Sequence, residues 1–155
     1  MRHRLWGLLG LLGLALALTF PKSTLYVEGN GKRHLLKVEV ADTPERWAQG
    51  LMFRERLGED EGMVFLFPEP TAGGFWMKNT LIPLDMIFAD ASGLVTHVHS
   101  DAIVEDETPI DGGRDVKFVL EINTGLAKRL GISAGAQMRS DQIEKTSAIW
   151  SCSVE

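Results

Sequence analysis

Seven residues in three separated stretches have the types and spacing to do chemistry. Arg54, Lys78, Asp85 and Glu121 supply two cations and two anions, enough for a neutral, partly buried network. Trp76, Met77 and Asn79 stand beside Lys78 in the run FWMKNTLIPLD, Phe75 to Asp85. A buried charge must be paired, and removing one partner costs about 3–5 kcal/mol. Such a network either locks the fold, with Lys78 held by Asp85 or Glu121, or also lines a pocket. In the pocket reading Trp76 and Met77 form an apolar platform. Arg54, Lys78 and Asn79 then offer hydrogen bonds to a polar or anionic ligand, with Asp85 and Glu121 completing the set. In a catalytic reading, Glu121 or Asp85 with a raised pKa, or Lys78 with a lowered one, does the acid–base work.

Other constellations are weaker. His97, His99 and Asp101 in HVHSD share one face if the strand continues through Asp101, a spacing that can chelate zinc. Alternating polar residues also describe a solvated strand face, and that reading is preferred. The acids Asp101, Glu105, Asp106, Glu107 and Asp111 fit no known calcium loop and read as a solvated acidic loop. There is no Gly-x-Ser-x-Gly elbow, and Gly73-Gly74 leads into a strand rather than a phosphate-cradling helix. Cys152 is the single cysteine, so no internal disulfide forms, and it reads as a small apolar residue near the C-terminus. No metal or cofactor is expected.

These residues need elements to hold them. Extended backbone from Phe75 to Lys78 puts Phe75 and Met77 on one side, Trp76 and Lys78 on the other. Asn79-Thr80 favours a turn or bulge, and Pro83, without an N–H, belongs at an edge, a bulge or a strand start. The run therefore reads as an interrupted strand presenting Trp76, Lys78 and Asn79 at a sheet rim. Elsewhere, strands are expected over 24–28, 33–41, 63–67, 82–89, 94–99 and 116–122. Asn30-Gly31 makes a hairpin turn, and Pro68 and Pro70 end the third strand. Thr43 and Thr124 are placed as caps of two short helices. The fold class is mainly β, a single-domain β-sandwich or barrel-like sheet, with an α+β layer as the alternative.

Four segments occur together in a familiar order: GLMFR (50–54), GMVFLF (62–67), FWMKNTLIPLDMIF (75–88) and VLEINTGLAKRLGI (119–132). In these the chain resembles the prokaryotic family of unknown function numbered 192, over roughly residues 24–137. The resemblance implies a compact, mostly β fold, frequently behind a signal peptide, and no established activity. Two departures stand out: the loop 104–113 is more acidic than the family pattern, and the 138–155 extension lies beyond the shared motifs.

The N-terminus supplies an address. Arg2, His3 and Arg4 precede an apolar run to Phe20, and Ala15-Leu16-Ala17 offers a signal-peptidase pattern. Residues 1–17 (to about 20) are read as a signal peptide, with an uncleaved anchor as the alternative, so the protein is expected outside the cytoplasm, periplasmic or extracellular. The formal charge is −5, and about −7 once Arg2 and Arg4 are lost. An acidic chain without a basic cluster argues against nucleic acid, and membrane contact is expected only through the N-terminal segment. The leading expectation is a non-enzymatic module for a polar or anionic envelope ligand. An envelope hydrolase using Lys78, Asp85 and Glu121, or a domain docking a partner strand at the motif's edge, are the alternatives.

Overall fold

The structure, a computed structural model, describes residues 17–146, with side chains to Glu144. All but the last residue of the expected signal segment, and Cys152, lie outside the described residues.

The chain is mostly β, as expected. β1 (Lys22–Gly29) and β2 (Lys32–Ala41) form the hairpin, and both turn residues are left-handed, Asn30 at φ 51° and Gly31 at 69°. That is the turn whose twist matches the strands. α1 (Pro44–Gln49) begins as its sequence directs: Thr43 Oγ1 accepts the Arg46 N–H, and Pro44 opens the helix. It carries the chain to β3 (Glu61–Thr71), parallel to β2. Then come β4 (Gly74–Phe75), β5 (Leu84–Ala89), β6 (Val95–Ala102), β7 (Ile110–Asp111), β8 (Val116–Asn123), α2 (Leu126–Leu130), β9 (Met138–Arg139) and α3 (Asp141–Thr146).

Seven strands in the order β6-β5-β8-β3-β2-β1-β9 make one sheet curled into a half-barrel, and β4 and β7 pair separately. The two ends of the sheet meet at one corner. Leu94 and Gln137, just ahead of β6 and β9, form an isolated bridge, and the Met138 N–H donates to the Gly93 carbonyl at 2.8 Å.

Three expectations are corrected. Pro68 and Pro70 do not end β3, because its register with β8 slips between Leu66 and Thr71, and a bulge dispenses with ladder N–H groups that proline lacks. Thr124 does not cap α2. The N-cap is Gly125 in the left-handed region, and Thr124 Oγ1 donates to Asp101 instead. Among the described residues three short helices form rather than two, and β9 and α3 follow Gln137.

Alternation along the central strands buries both faces of the sheet. Val64, Ile87, Phe118, Leu120 and Ile122 enter one cluster, which Leu126, Ile132 and Ile143 close. Met63, Phe65, Met86, Phe88 and Val119 enter the other. The second face is roofed by the chain after α1, through Leu51, and by the opening run, through Phe75, Met77 and Ile82.

Candidate functional site

Glu121 is the odd residue of that second face. Its place on β8 sets it between Met63 of β3 and Met86 of β5. It is 5% exposed, and its carboxyl takes part in no hydrogen bond or ion pair among the described residues. Desolvation alone pushes its carboxyl from 4.5 up to about 8, because burial penalises the charged form.

Above Glu121 the roof is incomplete and leaves a pocket of about 170 Å³. Five aromatic residues line it: Trp47, Phe65, Phe67, Phe75 and Trp76. Most are fixed by their own contacts. The Trp47 indole N–H donates to the carbonyls of Ala41 and Leu66 at 2.9 and 3.0 Å. Phe75 stands edge-on to Phe65 and Phe67, with centroids 5.1 and 6.1 Å apart, an arrangement favoured by the ring quadrupole. Trp76 sits at the mouth, 48% exposed. Gly50 adds a constraint, since at φ 48° a Cβ there would lie 3.0 Å from the Phe65 ring.

The seven residues singled out in the sequence are not one network. Trp76 and Glu121 reach the pocket. Met77 does not join Trp76 as a platform. Only 1% exposed, it is core, as the alternation that exposes Trp76 requires. Lys78 meets neither Asp85 nor Glu121. Its Nζ lies 3.5 Å from Glu107 and 5.1 Å from the Trp76 ring, and both ion-pair partners are exposed. Asn79 is a turn residue, left-handed at φ 52°, whose carbonyl accepts the Phe53 N–H at 2.9 Å. Arg54 faces another cleft, where it pairs with Glu39 at 2.5 Å among Lys22, Lys37 and Arg56. Asp85 is wholly buried and serves backbone: Oδ1 accepts the Asp101 N–H and Oδ2 the Ala127 N–H.

The acidic loop is docked on the opening run through backbone. The Met77 N–H donates to the Asp106 carbonyl and the Glu105 N–H to the Thr80 carbonyl. His97 and His99 lie on β6, and His97 packs against Phe88. Asp101 turns left-handed and leaves their alternation. Among the described residues no three His, Cys, Asp or Glu side chains gather into a metal site, and no helix is long and apolar enough to cross a membrane.

Sequence reasoning missed Trp47, Phe65, Phe67 and Phe75 as pocket walls. The usable signal was the i, i+2 spacing of Phe65 and Phe67, which puts both rings on Glu121's face of the sheet. The paired state of Lys78 yields a direct expectation. Lys78→Met should change unfolding free energy by no more than about 0.5 kcal/mol, since an exposed ion pair contributes little. A loss of several kcal/mol on chemical denaturation would contradict this placement.

The profile of DUF192, described as Uncharacterized ACR, matches residues 25–140. The chain belongs to the DUF192 family. Two solved structures resemble this DUF192 chain. A proposed transcription regulator from Sinorhizobium meliloti 1021 is 38% identical with a TM-score of 0.77, over 79% of this chain and 96% of that one. A protein of unknown function from Novosphingobium aromaticivorans DSM 12444 is 43% identical with a TM-score of 0.74, over 76% and 84%. No curated protein matches the chain.

Proposed function

We propose that this DUF192 domain is a non-enzymatic binding module of the cell envelope, and that its site is the aromatic pocket over Glu121. The observation that carries the reading is a carboxyl 5% exposed, without a hydrogen-bond partner, at the edge of an aromatic-lined space. A carboxyl that has no protein partner and opens only onto an aromatic-lined space becomes intelligible if a ligand supplies its partner. The volume, about 170 Å³, resembles the ~150 Å³ apolar cavity that takes benzene, so the ligand, or the part of it that enters, is ring-sized.

Among the described residues Glu121 is also the sole titratable side chain of the lining. Hydrolysis by paired groups would want a nucleophile or a second acid–base residue within hydrogen-bond reach, which favours binding over turnover. The anionic ligand expected from the sequence finds no cation here; the charges it would need gather around Arg54, in the other cleft. The envelope location rests on the basic and apolar N-terminal sequence. A role in transcription, proposed for the S. meliloti relative, draws little support from a chain of net charge −5.

A thermal-stability screen of ring-sized aromatic and branched aliphatic compounds tests the reading, because a ligand that binds only the folded state raises the melting temperature. Trp76→Ala should leave unfolding free energy within about 0.5 kcal/mol, as exposed positions do, and weaken any compound that stabilises the parent protein. A screen with no stabilising compound, or hits indifferent to Trp76→Ala, would remove the pocket from consideration.

A further inference from the structure

We propose that the pocket selects a protonated amine carried on a ring-sized apolar body, with the ammonium placed against the Glu121 carboxylate and the body among the aromatic side chains. The inference rests on the binding reading above and names its ligand class. Three observations converge on it. Among the described residues Glu121 is 5% exposed and its carboxyl is unpartnered, so a cation that docks there both draws it into its charged form and occupies its lone pairs. No described Lys, Arg or His lines the space, so an incoming ammonium meets no like charge among the described residues, whereas an anion would be set against a carboxyl. The walls are aromatic, and such rings attract cations where other apolar walls do not.

Neighbouring charges leave this assignment intact. Met63 and Met86 flank Glu121 across the sheet, and Trp47 and Thr80 face it from α1 and the opening run. None of these ionises. Lys78, against the Trp76 ring, is already paired with Glu107 and does not line the pocket.

The proposal carries a proton balance. In the empty protein burial holds the Glu121 carboxyl protonated up to about pH 8. An ammonium that docks there favours the carboxylate, so the carboxyl proton leaves to the buffer while the amine keeps its own. Calorimetric titration at pH 7 in two buffers of unlike ionisation enthalpy reads that proton directly, using benzylamine, benzyl alcohol and benzoate as probes. Benzylamine should bind with release of about one proton per site, at least about tenfold tighter than benzyl alcohol, and benzoate should not bind. Glu121→Gln, checked for folding by its melting curve, should lose the preference for the amine and release no proton. The parent protein's buffer dependence decides the matter even if that variant fails to fold. Benzyl alcohol binding as tightly as benzylamine, with no proton exchanged, overturns the amine assignment and leaves the pocket standing. Failure of both to bind overturns the pocket with it.

Discussion

Asp85→Ala should lower the free energy of unfolding by about 3–6 kcal/mol, since a hydrogen bond to a charged group contributes about 1.5–3 kcal/mol and two are lost. The two bonds have separate origins in the fold. Between Leu84 and Met86 the ladder with β6 slips, with Leu84 opposite Ala102 and Met86 opposite His99. The extra residue of the bulge leaves backbone groups out of the ladder, and Asp85 Oδ1 takes the Asp101 N–H at 2.9 Å. On its other side, α2 begins at Gly125, which has no side chain to cap the helix. Asp85 Oδ2 reaches across from β5 and accepts the Ala127 N–H at 3.0 Å, serving one of the free N–H groups at a helix start. Alanine would strand the buried Ala127 N–H without a partner and leave the part-buried Asp101 N–H to solvent. Asp85→Asn keeps one acceptor and should cost less. Denaturant unfolding of the three proteins measures the series, and an alanine variant within about 1 kcal/mol of the parent would refute this tie.

Glu121→Gln should change how stability responds to pH. The acid titrates near its ordinary 4.5 in the unfolded chain and near 8 in the folded one. Between those values the folded protein holds a proton that the unfolded chain has released. Stability is therefore fully present below about pH 4.5, falls as pH rises, and has lost its whole contribution above about pH 8. That loss is about 4–5 kcal/mol in total, taking 1.36 kcal/mol for each tenfold change in proton affinity. Glutamine does not ionise, so the variant should gain on the parent from pH 5 to about pH 8 and level off above it. Other groups titrate alike in both proteins, and the difference between them isolates Glu121. Denaturant midpoints at pH 5, 7 and 9 make the comparison; a constant difference would mean that Glu121 is ionised and solvated in the native state.

Local chemistry was legible in the sequence. Asn30-Gly31 turned the hairpin, Thr43 and Pro44 opened α1, and alternation placed Phe75 and Met77 inside with Trp76 and Lys78 outside. Those features depend on residues a few positions apart. Glu121 could be picked out because an acid within a strand of apolar residues is anomalous at any register. Charge pairing was not legible. Lys78 was matched with the acids that looked most conspicuous, but sheet order carries Asp85 to the start of α2 and leaves Glu107 as the acid nearest the lysine. The aromatic walls were hidden for a similar reason. Trp47, Phe67 and Phe75 come from a helix and two different sheets, and each alone reads as an ordinary core residue.

The place of β8 in the sheet governs the order in which the molecule can be assembled. β8 lies between β5 and β3, yet it is the last of those three to leave the ribosome. Until it arrives, β1, β2 and β3 form one fragment and the β5–β6 hairpin another, each with an unpaired inner edge open to unwanted pairing. Insertion of a single segment zips the two halves together, and α2, β9 and α3 then close the first face of the core. Glu121 rides on that segment, so the pocket comes into being only once β8 is in place. A chain cut just before Val116 contains β1, β2, β3, β5 and β6 and lacks the strand that joins them.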